Sequence, residues 1–354
     1  MTNDRHRDAS AGVLCAGSII VDVGKVIDHY PEREHLATIE EISASTGGPA
    51  LNMAVDLRML GADWAVGVAG AVGDDENGAF VLTECARHRI DSAGVRTVKG
   101  AVTAFTDAMV EADGGRRTFF HHSGANSLFD GSRTDVESSR ARILHVGAPG
   151  IHARMDESEP GGGNGWSTLL ARARAAGLRT NLELVSIEPA RIARVTRPCL
   201  PLLDSIVINE LEASAVTGID ATASGPDGGV DWVALEQSAL ELVALGVSTL
   251  AVVHFPAGCV AAAPGSRTWR QGSVRVPRNQ VRSTTGAGDA FASGVLFGLH
   301  ENWPVERCLE LGVAAAGMSV RSMLTSAGIQ PAAACLAAAT QYGHHAIESN
   351  PAAP

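Results

Sequence analysis

The run Arg282–Leu299, RSTTGAGDAFASGVLFGL, holds the residues best suited to chemistry. A Gly-Ala-Gly turn stands directly before an apolar-periodic segment in which Phe291, Val295 and Leu299 fall on one helical face. A helix starting near Ala287 leaves the amides of Gly286, Ala287, Gly288 and Asp289 free and aimed at one spot. Free amides and the helix dipole make an anion site, and glycine lets a phosphate approach with no Cβ in the way. Asp289 shares that first turn. Such an aspartate often does no more than stabilise the dipole. Beside an anion site it can also serve as a general base, taking the proton of a hydroxyl that attacks a phosphorus held by the same amides. The loop is not a Walker A sequence, since no G-x-x-x-x-G-K-[ST] occurs. No G-x-G-x-x-G opens a helix after the first strand either, which weakens a nicotinamide-dependent oxidoreductase reading.

A second constellation is Ser45–Gly61, STGGPALNMAVDLRMLG. Gly47 and Gly48 precede a helix with Asn52 in its first turn, giving an open, polar surface. Asn52 carries both a donor and an acceptor, as hydroxyl recognition requires, although taken alone the pair of glycines is an ordinary loop.

The elements that must hold these groups alternate between strand and helix. Strands are expected over Val13–Val23, Trp64–Ala69, Arg142–Val146, Arg179–Val185, Ser205–Ile208 and Ser248–Val253. Helices are expected over Pro49–Leu60, about Asp74–Arg89, Trp166–Ala176, Asp231–Leu245, Ala287–Leu299 and Val305–Met323. That beat argues for an α/β fold with a mainly parallel sheet covered on both faces. Residues 25–45 and 99–123 break it with extended alternation, and read as strands that leave the sheet to form a small lid. The α/β domain then takes 11–24, 46–98 and 124–330, with tails at 1–10 and 331–354. Met155–Gly165 and Ala221–Gly229 read as surface connections, and the alanine-rich stretch beyond Gln330 shows no signal of its own.

Composition bounds the partners. The 354 residues carry a net charge of −11, which disfavours nucleic acid as a bulk partner. No run of about 18 uncharged apolar residues suggests a membrane span, and the polar MTNDRHRDAS start is unlike a secretion signal. The six cysteines, Cys15, Cys85, Cys199, Cys259, Cys308 and Cys335, form no CxxC pair and read as reduced, mostly buried thiols of a cytoplasmic protein.

The residues together resemble the ribokinase family, the PfkB-type carbohydrate kinases. Thr285–Asp289 (TGAGD) followed by AFxxGxL is similar to that family's C-terminal signature. GGPALNMAVDLRMLGADWAVGVAGAVGDDENG resembles its N-terminal one, GSIIVD its first strand ending at Asp22, and RRTFFHHSGAN its lid strand and turn. The resemblance covers roughly residues 12–328 and implies a ribokinase-like three-layer fold with a small β lid. It implies transfer of the γ-phosphoryl group of ATP to a hydroxyl of a small sugar or polyol. Asp289 matches the catalytic base, and Gly286, Ala287 and Gly288 match the anion hole. Asp22, Gly47, Gly48 and Asn52 match sugar-binding positions, and Asn209, Gly258 and Thr285 fall on the nucleotide side. Asn209 and Glu212, in INELEA, match an N-x-x-E element that organises Mg²⁺ largely through water. The family also implies a possible homodimer through the lid.

Four departures stand out. Ser283 replaces a frequent Asp, which puts monovalent-cation activation in doubt. HFPAG at His254–Gly258 keeps only the second glycine of the usual turn, so Phe255 and Pro256 reshape the adenine side. Asn181 and Glu183 stand where many relatives have Asp and Asn. His121 and His122 could touch substrate from the lid, or face water on an edge strand. A nucleoside kinase of the same fold, needing an aromatic slot that this chain is poor in, and a non-catalytic sugar-binding regulator are the other readings.

Overall fold

The computed structural model describes residues 12–112, 117–221 and 230–347. The expected tail at 1–10, Arg116 at the start of the lid strand, and nearly all of the 221–229 connection lie outside these. In chain order the strands are β1 (Val13–Gly17), β2 (Ile20–Ile27), β3 (Ile39–Gly47), β4 (Val66–Gly73), β5 (Asp91–Val98), β6 (Phe105–Glu111), β7 (Arg117–His122), β8 (Ile143–Gly147), β9 (Arg179–Glu183), β10 (Ser205–Asn209), β11 (Leu250–Phe255), β12 (Gly258–Ala263) and β13 (Arg267–Gly272). The helices are α1 (Pro49–Met59), α2 (Glu76–Arg87), α3 (Gly165–Ala175), α4 (Pro189–Thr196), α5 (Glu210–Thr217), α6 (Trp232–Ala244), α7 (Ala287–His300), α8 (Val305–Ser319) and α9 (Ala332–Tyr342).

Nine strands form one sheet in the order β13-β12-β11-β10-β9-β8-β1-β4-β5, parallel from β11 to β5 and antiparallel only at the β11-β12-β13 edge. Two apolar clusters cover its two faces. One gathers α1, α7 and α8 around Leu51, Phe291 and Val295; the other gathers α3 and α6 around Trp166, Leu170 and Leu235. Beta-branched and small residues fill the strands, as a sheet buried on both faces demands.

A second sheet, ordered β3-β2-β6-β7, stands apart from the first. The apolar run Val13–Val23 is therefore two strands and not one. After Gly17 the chain leaves the main sheet, Ser18 N–H still donating to Gly147 O, and Val21 N–H donates to Ala104 O as β2 joins the small sheet. Periodicity could not show this, because the run stays apolar across the crossing. Asp22, expected at the end of a main-sheet strand, belongs to the small sheet, opposite Ser45 and Thr106. Further elements are missing from the sequence reading, among them α4 and the antiparallel edge strands β12 and β13. β5 adds an edge strand beside β4, and α9 forms within the alanine-rich stretch, where Cys335 and Ala339 are buried against the α8 layer.

Helix α7 has no side-chain cap at Gly286. A missing cap costs about 0.5–2 kcal/mol, whereas burying Phe291, Val295, Leu296 and Phe297 contributes on the order of 6–12 kcal/mol. Burial fixes the helix, so its first turn is left open for other use.

Among the described residues no helix is long and apolar enough to cross a membrane. All six cysteines are unpaired and buried.

Candidate active site

At the C-terminal edge of the main sheet, under the small sheet, lies a cavity of about 520 Å³. Asp22, Gly48, Asn52, Asn209, Glu212, Thr285, Gly286, Gly288 and Asp289, singled out above from widely separated stretches, all line it. Gly258 and Ala287 line an adjoining cavity of about 450 Å³, which Asn209 and Gly288 share. Gly47 lines neither. It lies behind Asp22, where a Cβ would sit 2.4 Å from that carboxylate.

The first turn of α7 faces the junction of the two cavities. Gly286 adopts φ 78°, and a Cβ there would press on Thr325 at 2.9 Å, so only glycine closes this turn without strain. The amides of Gly286, Gly288 and Asp289 have no hydrogen-bond partner among the described residues. The fourth expected donor, Ala287 N–H, is instead turned back on Thr284 O at 3.3 Å. Three donors, not four, are presented. Ser283, buried, accepts from Thr285 N–H through Oγ at 3.1 Å and holds the approach to the turn.

Asp289 accepts a 2.6 Å hydrogen bond from Asn52 Nδ2. Asn52 was expected to meet a hydroxyl with both ends of its amide. Its nitrogen is committed to Asp289, and only Oδ1, buried and without a partner among the described residues, remains for a ligand. Their separation of 237 positions along the chain explains why spacing gave no sign of the pair.

Other carboxyls surround Asp289. Burial, the charge of Asp289 and other carboxyls nearby hold Glu183 well above the usual range, and Glu183 shares a hydrogen bond with Asp289. Its Oε2 lies 3.6 Å from His145 Nε2. Asp56, one turn after Asn52 on α1, is raised by burial and by Asp289. Asp22 is pushed up to about 7 by burial and by Asp289, with a hydrogen bond to Thr106 opposing the shift. Packed carboxyls cannot all ionise in a low-dielectric setting, so the site carries less charge than its acid count suggests.

Asn209 and Glu212 form a reciprocal cap on α5: Glu212 N–H donates to Asn209 Oδ1 at 2.9 Å, and Asn209 N–H to Glu212 Oε2 at 3.0 Å. Ser186 Oγ donates to Glu212 Oε1 at 3.0 Å. Burial lifts Glu212 to about 7.

Several contributors escaped the sequence reading. Arg117 reaches from β7 to donate to Thr285 Oγ1, tying the small sheet to the TGAGD turn. Asp56 showed only as a helix residue. Glu183 was noted as a departure without a position. Asn181, noted with it, is buried in the sheet between His145 and Ser205, away from both cavities. His121 and His122 are exposed on β7, the edge strand. Phe255 and Pro256 do line the second cavity, where Phe255 packs edge-on against Trp232.

The sheet order, the helical layers and this cavity define a ribokinase-like α/β protein. A structure of Arabidopsis thaliana ribokinase complexed with ribose and ATP superposes with a TM-score of 0.75 at 20% identity, covering 93% of this chain and 99% of that one. A Burkholderia thailandensis nucleoside kinase in complex with inosine gives 0.69 at 17% identity over 94% and 98%. At these identities the likeness is one of fold. A family model described as pfkB family carbohydrate kinase matches residues 10–333, and the chain belongs to that family. The probable fructokinase-7 of Arabidopsis thaliana is 30% identical over 302 residues, 83% of this chain and 80% of that protein. The ATP-dependent ribose-1-phosphate kinase of Halopiger xanaduensis is 28% identical over 300 residues, 84% and 88% respectively. This protein is a sugar kinase, a phosphotransferase with an alcohol acceptor.

Proposed function

We propose that the chain transfers the γ-phosphoryl group of ATP to a hydroxyl of a small sugar or sugar-like polyol, with Asp289 as the base. The observation that carries this is the junction itself: a carboxylate and three unpartnered amides on one helical turn, between two cavities of about 520 and 450 Å³. Asp289 Oδ takes the hydroxyl proton, while Asn52 Nδ2 fixes the carboxylate's orientation. The amides of Gly286, Gly288 and Asp289 steady negative charge on the transferring phosphoryl oxygens. Asp22, Gly48 and the free Oδ1 of Asn52 hold acceptor hydroxyls, with Gly47 leaving room for Asp22. Nucleotide fills the second cavity past Asn209 and Gly258, and its phosphates reach Thr285, which lines the first. We further assign 25–45 and 99–123 as a lid on the α/β domain, whose closure excludes water from the reaction.

Asn209 and Glu212 suit Mg²⁺. Their oxygens are hard donors, and both Glu212 oxygens already accept protein hydrogen bonds, which fits contact through water rather than direct ligation. Bound Mg²⁺ neutralises charge on the nucleotide phosphates. Ile42, Phe119 and Phe120 are exposed apolar residues of the small sheet and support a homodimer formed through it. Buried free thiols accord with a cytoplasmic setting.

Asp289→Ala is expected to cut turnover by about 10²–10⁴ with nucleotide affinity kept. Near-normal turnover in that variant would discard the mechanism. ADP release measured against a panel of sugars, polyols and nucleosides identifies the acceptor. Nucleoside-only turnover would transfer the reading to a nucleoside kinase, and acceptor-induced thermal shifts without turnover to a binding protein.

A further inference from the structure

His254 lines both cavities and stands where they meet. It lies at the end of β11, level with Asn209 of the neighbouring strand. Its ring packs on Phe291, with centroids 4.9 Å apart, and under the first turn of α7, where a Cβ on Gly288 would lie 3.3 Å from Cε1. Neither ring nitrogen has a hydrogen-bond partner among the described residues. Burial pushes the imidazole down to about 4, so near neutrality it is uncharged and offers one N–H and one lone pair.

Away from this junction the second cavity is walled mainly by apolar side chains, Val274, Val276, Val281, Val313 and Val320, with Ser273 and His345 at its margin. The unpartnered amides lie on the near side. A ligand that fills the apolar slot and also reaches those amides must cross over His254, and a nucleotide does so with its phosphates. The neighbouring turn gives little help, since Pro256 has no N–H to offer. Phosphate oxygens only accept, so the tautomer presented to them is the one that donates.

We propose that His254 is a nucleotide-binding residue, its imidazole N–H donating to an oxygen of the phosphate chain between the apolar slot and the amides of α7. The inference rests on the kinase reading above.

Calorimetric or NMR titration of ADP and of adenosine into the wild type, His254→Leu and His254→Gln tests it, with no acceptor needed. The Leu variant is expected to bind ADP about ten- to a hundredfold more weakly, the range for a hydrogen bond to a charged acceptor. Adenosine, which lacks phosphates, should bind it within about twofold of the wild type, and Gln should hold ADP within about fivefold. Unchanged ADP affinity in His254→Leu overturns the proposal. So does an equal loss for adenosine, which would make the ring merely part of the slot's wall. His254→Ala, which only removes atoms, carries the same comparison if the Leu variant does not fold. A wild type that binds neither ligand defeats the kinase reading itself, an outcome distinct from failure at His254.

Discussion

The two sheets are built to different standards. β8, in the centre of the large sheet, buries all five of its residues, whereas β7 in the small sheet exposes four of its six. Asp289 and the amide turn stand on the well-packed body, on a helix held by buried Phe291 and Val295. Asp22 and Arg117 stand on the thinner one. Under the proposed function, chemistry that tolerates little displacement is carried by the densest packing, and recognition of the acceptor by the sheet with less to hold it.

If that division is real, damage on the large body should lower turnover and damage on the small one should alter acceptor use. Gly286→Val is the strongest test. It forces a β-branched residue into φ 78° against Thr325 and displaces the donors. Turnover is expected to fall by about 10²-fold or more, the usual loss for one misplaced oxyanion donor, with a lower melting temperature. Stopped-time ADP assays and calorimetry would register both; unimpaired turnover would mean that the amides do not act on the phosphoryl group.

Arg117→Ala comes next. It cuts the tie between β7 and Thr285, and kcat/KM for the acceptor should drop by about tenfold with ADP affinity unchanged. A matching loss of ADP affinity would assign the guanidinium to the nucleotide instead.

The smallest effect concerns pH. Asp22 has a folded pKa of about 7 against an ordinary 3.8, so between these values the folded chain holds a proton that the unfolded chain has released. Its contribution to stability is therefore fully present below 3.8 and is lost as pH rises to about 7. Urea midpoints at pH 5 and pH 8 should differ less in Asp22→Asn than in the wild type. An identical difference in both would exclude Asp22 as a source.

What the sequence made legible follows from how far apart the cooperating residues lie. The α7 turn was readable because the glycines, Asp289 and the apolar period of its helix occupy one short run. The mainly parallel sheet was readable from alternation. The crossing at Ser18 was not, because an apolar run looks the same whether one sheet or two receive it. Nor was α9, whose alanines give little contrast between faces. The Asn52–Asp289 bond, the Glu183 contact and the reach of Arg117 all join residues distant in the chain, and only the fold brings them together.

β1 and β2 are separated by just two residues, so the small sheet is tethered to the large one directly beside Asp22. With β3 joined to α1 across Gly48 alone, both short links lie at this end of the small sheet, so a tilt of that sheet would move Asp22 relative to Asp289 on α7. If Asp289 is the base proposed above, an alcohol of the wrong shape would be gripped without being reacted, because its hydroxyl arrives off line with a carboxylate that does not follow. Selectivity in such a molecule resides in alignment as much as in affinity, and poor substrates should reveal themselves as competitive inhibitors.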